Sequence, residues 1–192
     1  MGTKGSLNRT RIVDAAGQLF YSRGYSQTSF SDIAEATGIP RGNFYYYFRS
    51  KDDILEAVVD ARIVVVEDFL AECDKASDDA VIRIEYFINT LERSAEDILE
   101  FGCPIGTLST ELAKDQAVTL KNKSRELFDV LEAWLIRQFA EVGLSEDKQR
   151  PLALDLIARL QGVTVVANAY NDAEFLQQSA SDLREWIEQT LR

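Results

Sequence analysis

The chain has 192 residues, 46% hydrophobic and 28% charged, with a formal net charge of -11, enough for one large or two small domains. It contains no histidine and two cysteines distant in sequence, Cys73 and Cys103, which excludes Cys/His zinc sites and histidine-based catalytic triads. No run of 18 apolar residues occurs, and the N-terminal MGTKGSLNRTR lacks the apolar core of a signal peptide, so no membrane partner and a cytoplasmic location are expected.

The charge is unevenly spread. Residues 1–51 hold seven cations and three anions, leaving 14 cations and 29 anions for the rest. A basic head on an acidic body points to a polyanionic partner for the head alone, with the body repelled by the same partner.

Nearly every segment has helical periodicity. Over residues 10–24, TRIVDAAGQLFYSRG places Ile12, Ala15, Ala16, Leu19 and Phe20 on one face, and Gly24 supplies a helix-ending C′ residue. In TSFSDIAEATG, Ser29 and Asp32 have capping-box spacing, Ile33, Ala34 and Thr37 face inward, and Gly38 ends the helix. A third helix is predicted over PRGNFYYYF, with Pro40 at its first position, where a missing N–H goes unnoticed. Two short helices joined by a tight turn make a helix-turn-helix pattern. A long fourth helix starts at Ser50, capped with Asp53, with Ile54, Leu55, Val58 and Val59 as its stripe.

Beyond it, DDAVIRIEYFINTLERSAEDILEFG sets Val81, Ile84, Phe87, Ile88 and Leu91 on one face. A break at FGCPIG precedes a shorter helix, TLSTELAK. Two long segments follow, SRELFDVLEAWLIRQFAEVGL and DKQRPLALDLIARLQGVTVVANAYND, the second apolar on several sides. SASDLREWIEQTLR closes the chain. The expected fold is therefore all-α, with about nine helices and no strands.

The stretch TSFSDIAEATGIPRGNFYYYFRSKDDIL resembles the head of the TetR/AcrR family of bacterial transcriptional regulators. Thr28, Ser29, Asp32, Ile33, Ala34, Gly38, Gly42, Phe44, Tyr45, Tyr47, Phe48, Ser50, Lys51 and Leu55 stand in register with the family pattern. Pro40 and Asn43 depart from its usual serine and threonine. The resemblance implies a helix-turn-helix DNA-binding domain over 1–50 and a ligand-binding and dimerisation domain over 51–192. The implied partners are a double-stranded operator, a small-molecule effector and a second copy of the chain.

On this reading the third helix enters the major groove. Arg41 addresses guanine and Asn43 adenine, while Gly42 lets the backbone approach. Tyr45 and Tyr46 point to DNA, and the Tyr47 hydroxyl reaches a phosphate. Lys51 stands at the N-terminus of helix four, where free N–H groups favour phosphate, and Thr28 and Ser29 do the same for helix two. Candidate ligand-pocket residues are Phe87, Leu91, Cys103, Thr107, Leu108, Phe128, Trp134, Gln161 and Asn168. Cys103 is either a sensor of electrophiles or oxidants or a small buried hydrophobe. Gln161 and Asn168 either line the pocket or pair across a dimer axis. The dimer interface is assigned to Leu160, Val163, Leu183, Trp186 and Ile187. No catalytic residue, metal ligand or cofactor is assigned. A different class also fits the composition, an all-helical adaptor that binds protein or RNA without duplex specificity.

Overall fold

The computed structural model describes residues 3–113 and 118–191. Eleven helical segments, and no strand, occur among them: α1 Thr3–Arg23, α2 Phe30–Thr37, α3 Arg41–Phe44, α4 Lys51–Ala76, α5 Ala80–Ile88, α6 Thr90–Arg93, α7 Ala95–Phe101, α8 Pro104–Leu112, α9 Val118–Glu141, α10 Glu146–Tyr170 and α11 Ala173–Leu191. Single residues, Asn89 and Ser94, separate α5, α6 and α7. Taken as one bent helix, these three give the nine expected from the sequence.

The chain divides into two compact units, Met1–Val64 with Thr107–Leu127, and Val65–Gly106 with Phe128–Arg192. In the first, Ile12, Ala16, Phe20, Ile33, Ile39, Phe44, Phe48, Ile54, Leu55 and Val59 form the core, and α2 packs on α1 and α3. Gly24 and Gly38 close α1 and α2 with φ of +92° and +65°, the left-handed conformation that glycine adopts without penalty. The Ser29–Asp32 box is reciprocal, each side chain accepting from the other residue's backbone N–H. Ser50 and Asp53 repeat it at α4, where Arg49 N–H also donates to Asp53 at 2.8 Å. These hydrogen bonds, to Ser29 and to Arg49 N–H respectively, hold both carboxyls below the usual carboxylate range.

Several boundaries differ from the sequence expectation; α9 begins at Val118 rather than Ser124, and α11 at Ala173 rather than Ser179. The first helix begins at Thr3 rather than at residue 10. The third is one turn long and starts after Pro40, which stays extended as its N-cap (φ -54°, ψ 133°) instead of taking the first helical position. Beyond Phe44, i→i−3 bonds from Tyr46 N–H to Asn43 O and from Tyr47 N–H to Phe44 O tighten the chain. This brings both Phe44 and Phe48 into the core. The helix after the FGCPIG break starts at Pro104, three residues early, as proline's fixed φ favours; its expected end at Lys114 lies outside the described residues.

In the second unit α11 packs against α5, α6, α7 and α10, and α10 also packs on α7. Arg184 of α11 donates to Asn89 Oδ1 (2.6 Å) and Glu92 Oε1 (3.1 Å), tying α11 to both sides of the first bend. Phe69, Phe87 and Trp134 form an aromatic chain. Beside it runs a polar one. Asp74 accepts from Trp134 Nε1 (2.9 Å), Arg137 (2.7 Å) and Gln138 Nε2 (3.1 Å), and Gln138 Oε1 accepts from Arg83 Nε (2.6 Å). Arg83 is paired with Glu141 and donates to Ser77 O and Asp78 O, just past the end of α4. Helix α10 is long and apolar enough to cross a membrane by composition, which a search for unbroken apolar runs does not detect. One face of it, Ala153, Leu156, Ile157, Leu160, Thr164 and Ala167, is buried in a bundle with α7 and α11.

Candidate nucleic-acid interface

The aromatic run sorts itself by burial. Phe44 (0% exposed) and Phe48 (3%) point inward, whereas Tyr45 (61%) and Tyr46 (82%) are exposed. A core residue on either side of the tyrosines fixes the backbone, so their exposure follows from the turn rather than from looseness. Tyr45 stacks on Phe30 with ring centroids 6.2 Å apart, which holds one phenol in place. Arg41, Gly42 and Asn43 are all exposed, and Arg41 reaches Ser31 Oγ at 3.4 Å. The short helix therefore presents a guanidinium, a bare backbone position, an amide and two phenols on one solvent-facing turn.

Other predicted contacts have internal partners. Thr28 is 2% exposed and its hydroxyl donates to Gly24 O at 2.8 Å, so its side chain ties the α1–α2 turn together. Ser29, exposed, caps α2. The Lys51 ammonium lies over the Tyr25 ring and donates to Tyr25 O (2.9 Å) and Thr28 O (3.0 Å). It supports the same turn, with its charge held against carbonyls rather than left to solvent. The Tyr47 hydroxyl accepts from Asn8 Nδ2 at 3.2 Å. Arg9 lies over the Phe48 ring, and Arg11 donates to Thr37 O at 2.6 Å, a cation placed at the negative end of α2.

One contact had no counterpart among the predicted site residues. Glu111 of α8 accepts from Tyr25 N–H (2.8 Å) and Ser26 N–H (2.6 Å). Both its oxygens stand 3.3 Å from where a Cβ on Gly24 would be.

Of the predicted pocket residues, Phe87, Leu91 and Trp134 are buried in the second unit, while Thr107 is exposed and Leu108 and Phe128 are half-buried. Gln161 donates to Cys103 Sγ at 3.4 Å and approaches Gly106, and Asn168 donates to Leu99 O at 2.8 Å. These two amides join α10 to the chain around the FGCPIG break, Gln161 at the Cys103 sulfur and Asn168 at a backbone carbonyl. Trp134 lines a groove of about 500 Å³ with Glu67, Leu70, Ala71, Asp74, Val130, Ala133 and Arg137. Of the residues assigned to the dimer interface, Leu160, Leu183 and Ile187 are buried within their own unit, Val163 and Trp186 are half-buried, and Arg159 covers the Trp186 ring. The exposed apolar residues of this region are Leu154, Val165, Val166, Tyr170 and Phe175.

A capped helix pair, a glycine-closed turn and an exposed polar-aromatic third helix define a helix-turn-helix DNA-binding head on an all-helical body. Residues 12–58 match the model of bacterial regulatory proteins of the tetR family, and residues 80–182 match the C-terminal domain of LmrA/YxaF-like transcriptional regulators. The chain belongs to the TetR family of transcriptional regulators. It is 28% identical over 173 residues to an uncharacterized HTH-type regulator from the lacX 3' region of Lactococcus lactis, covering 88% of this chain and 87% of that one. The HTH-type repressor DhaR of Mycobacterium sp. strain GP1 is 27% identical over 159 residues, 78% and 74% of the two chains. A TetR regulator structure from Chloroflexus aurantiacus superposes with a TM-score of 0.87 at 27% identity over 98% of each chain. These are transcriptional regulators, a class without catalytic activity.

Proposed function

We propose that the chain is a homodimeric repressor that binds a palindromic operator and is released by a small molecule. Residues 1–50 carry the DNA contacts and residues 51–192 the effector and dimer contacts. The observation that carries this reading is the exposed turn of Arg41, Gly42, Asn43, Tyr45 and Tyr46 on a base of fully buried phenylalanines. Such a turn offers bidentate base contacts through Arg41 and Asn43 and phosphate contacts through the phenols. The relative DhaR is a repressor, which supports the sign of the regulation.

Dimerisation is supported by the apolar strip of α10, where Val165, Val166 and Tyr170 are 65%, 40% and 80% exposed. A second copy would cover it, and paired heads would then meet successive major grooves about 34 Å apart. Cytoplasmic residence follows from the same reading, since the operator is there. An effector between the helices of the body would act by favouring a conformation whose heads are misplaced. Moving the bound fraction from 99:1 to 1:99 takes ~5.5 kcal/mol of preference.

The test is selection of duplexes from a random pool, followed by a salt titration of the recovered sequence. A palindrome and a steep log–log salt slope are expected. Recovery of no preferred duplex, with binding to RNA or protein instead, would favour the adaptor reading.

A further inference from the structure

The α1–α2 turn is held from two directions by groups that arrive from elsewhere in the chain. From α4, Lys51 grips the carbonyls of Tyr25 and Thr28, and Asp52 accepts from the Tyr25 hydroxyl. From α8, the Glu111 carboxylate takes the N–H groups of Tyr25 and Ser26. The turn thus has its carbonyls bound to a cation and its amides bound to an anion. Gly24 completes the arrangement. Its φ of +92° strains any other residue, and a Cβ there would crowd both carboxylate oxygens.

Three residues after Ser26 comes the N-cap of α2, whose C-terminal glycine turn leads into α3. A carboxylate that fixes residues 25 and 26 therefore fixes where α2 starts, and through α2 the direction of the DNA-facing turn. Glu111 makes no contact with that turn itself.

We propose that Glu111 is a positioning residue for DNA binding, acting through the backbone of Tyr25 and Ser26. The inference rests on the chain's being a DNA binder, but its first readout does not need DNA. In Glu111→Gln, one of the two acceptor oxygens becomes an NH2 group, and in Glu111→Ala both acceptors go. Amide exchange of Tyr25 and Ser26, followed by NMR in the free protein, is expected to accelerate by about tenfold in Glu111→Ala, with α10 and α11 amides unchanged. That is the loss of a hydrogen bond to a charged group. For the duplex recovered by selection, Kd is expected to rise about tenfold, with the same salt slope as the parent, because no phosphate contact is lost.

Parent-like exchange at Tyr25 and Ser26 in Glu111→Ala, or a Kd equal to or below that of the parent, overturns the positioning role. Failure of the parent to bind any duplex would instead overturn the DNA-binding reading, leaving the exchange result to judge the clamp.

Discussion

Arg83 is a charged residue at a core position, and replacing it with methionine isolates what its guanidinium contributes. Methionine keeps an unbranched apolar stem, so packing changes little. Four acceptors lose their donor: Gln138 Oε1, Ser77 O, Asp78 O and the Glu141 carboxylate. Their weights differ. Gln138 is fully buried, so its orphaned oxygen costs about 1–3 kcal/mol. The two carbonyls are partly accessible, and each lost bond costs roughly 0.5–1.5 kcal/mol. Glu141 is half exposed and rehydrates, contributing little. The total is ~2–6 kcal/mol, bracketing the range for removing one member of a buried charge network. For a chain of this length it lowers the midpoint of thermal unfolding by roughly 4–24 °C. Fluorescence of the buried Trp134, three hydrogen bonds away through Gln138 and Asp74, reports the transition. Adding Gln138→Leu is expected to recover part of the loss by removing the orphan. A fall of less than about 2 °C in Arg83→Met, or no recovery in the double variant, would refute the assignment of stability to this network.

Further outcomes are expected at other sites. Arg41→Ala should relax preference at one base pair of the selected duplex by about 1–3 kcal/mol, whereas Lys51→Met, whose cation is engaged by Tyr25 O and Thr28 O, should lower head stability without changing which base is preferred. Comparing selections and melts of the two variants checks both. The lowered Asp53 carboxyl stabilises the head above its ordinary titration range, and that contribution disappears as pH falls through the folded-state value. Acid unfolding followed by NMR should therefore lose part of its pH dependence in Asp53→Asn. Val166→Lys, on the exposed strip of α10, tests the proposed dimer: sedimentation should shift to the monomer, and the melt should lose its dependence on protein concentration. The Cys73 thiol is fully buried, and burial pushes it up to about 12. Alkylation of the native protein at pH 8 should therefore spare Cys73.

What could be read in advance was what depends on near neighbours in sequence. The Ser29–Asp32 and Ser50–Asp53 caps, the glycine ends at 24 and 38 and the stripes of α4 and α5 each involve residues within one or two turns. The exposed tyrosines were also legible, because three adjacent aromatic residues cannot share one face of a helix. The shortening of α3 was not, since it is decided by the depth at which Phe44 and Phe48 enter the core. Lys51 looked solvent-facing because its partners, Tyr25 O and Thr28 O, are backbone atoms more than 20 residues away. Leu160, Leu183 and Ile187 were assigned to an interface because an apolar stripe does not say whether its cover comes from the same chain. Two missed residues left a trace. Arg83 stands where the 80, 84, 87, 88 periodicity demands an apolar residue, and Glu111 is the single acid in an otherwise uncharged α8.

The bends at Asn89 and Ser94 have a geometric consequence for α11. A straight helix over residues 80–101 would be a rod about 33 Å long, and two rods that cross meet in one short region. Broken twice, the same residues become three facets, and each of them touches α11. Across the corners i→i−4 bonds persist, from the N–H groups of Asn89, Arg93, Ser94 and Ile98. What is gained is a curved trough in which the last helix of the chain lies lengthwise, so that withdrawing it would uncover three helices at once.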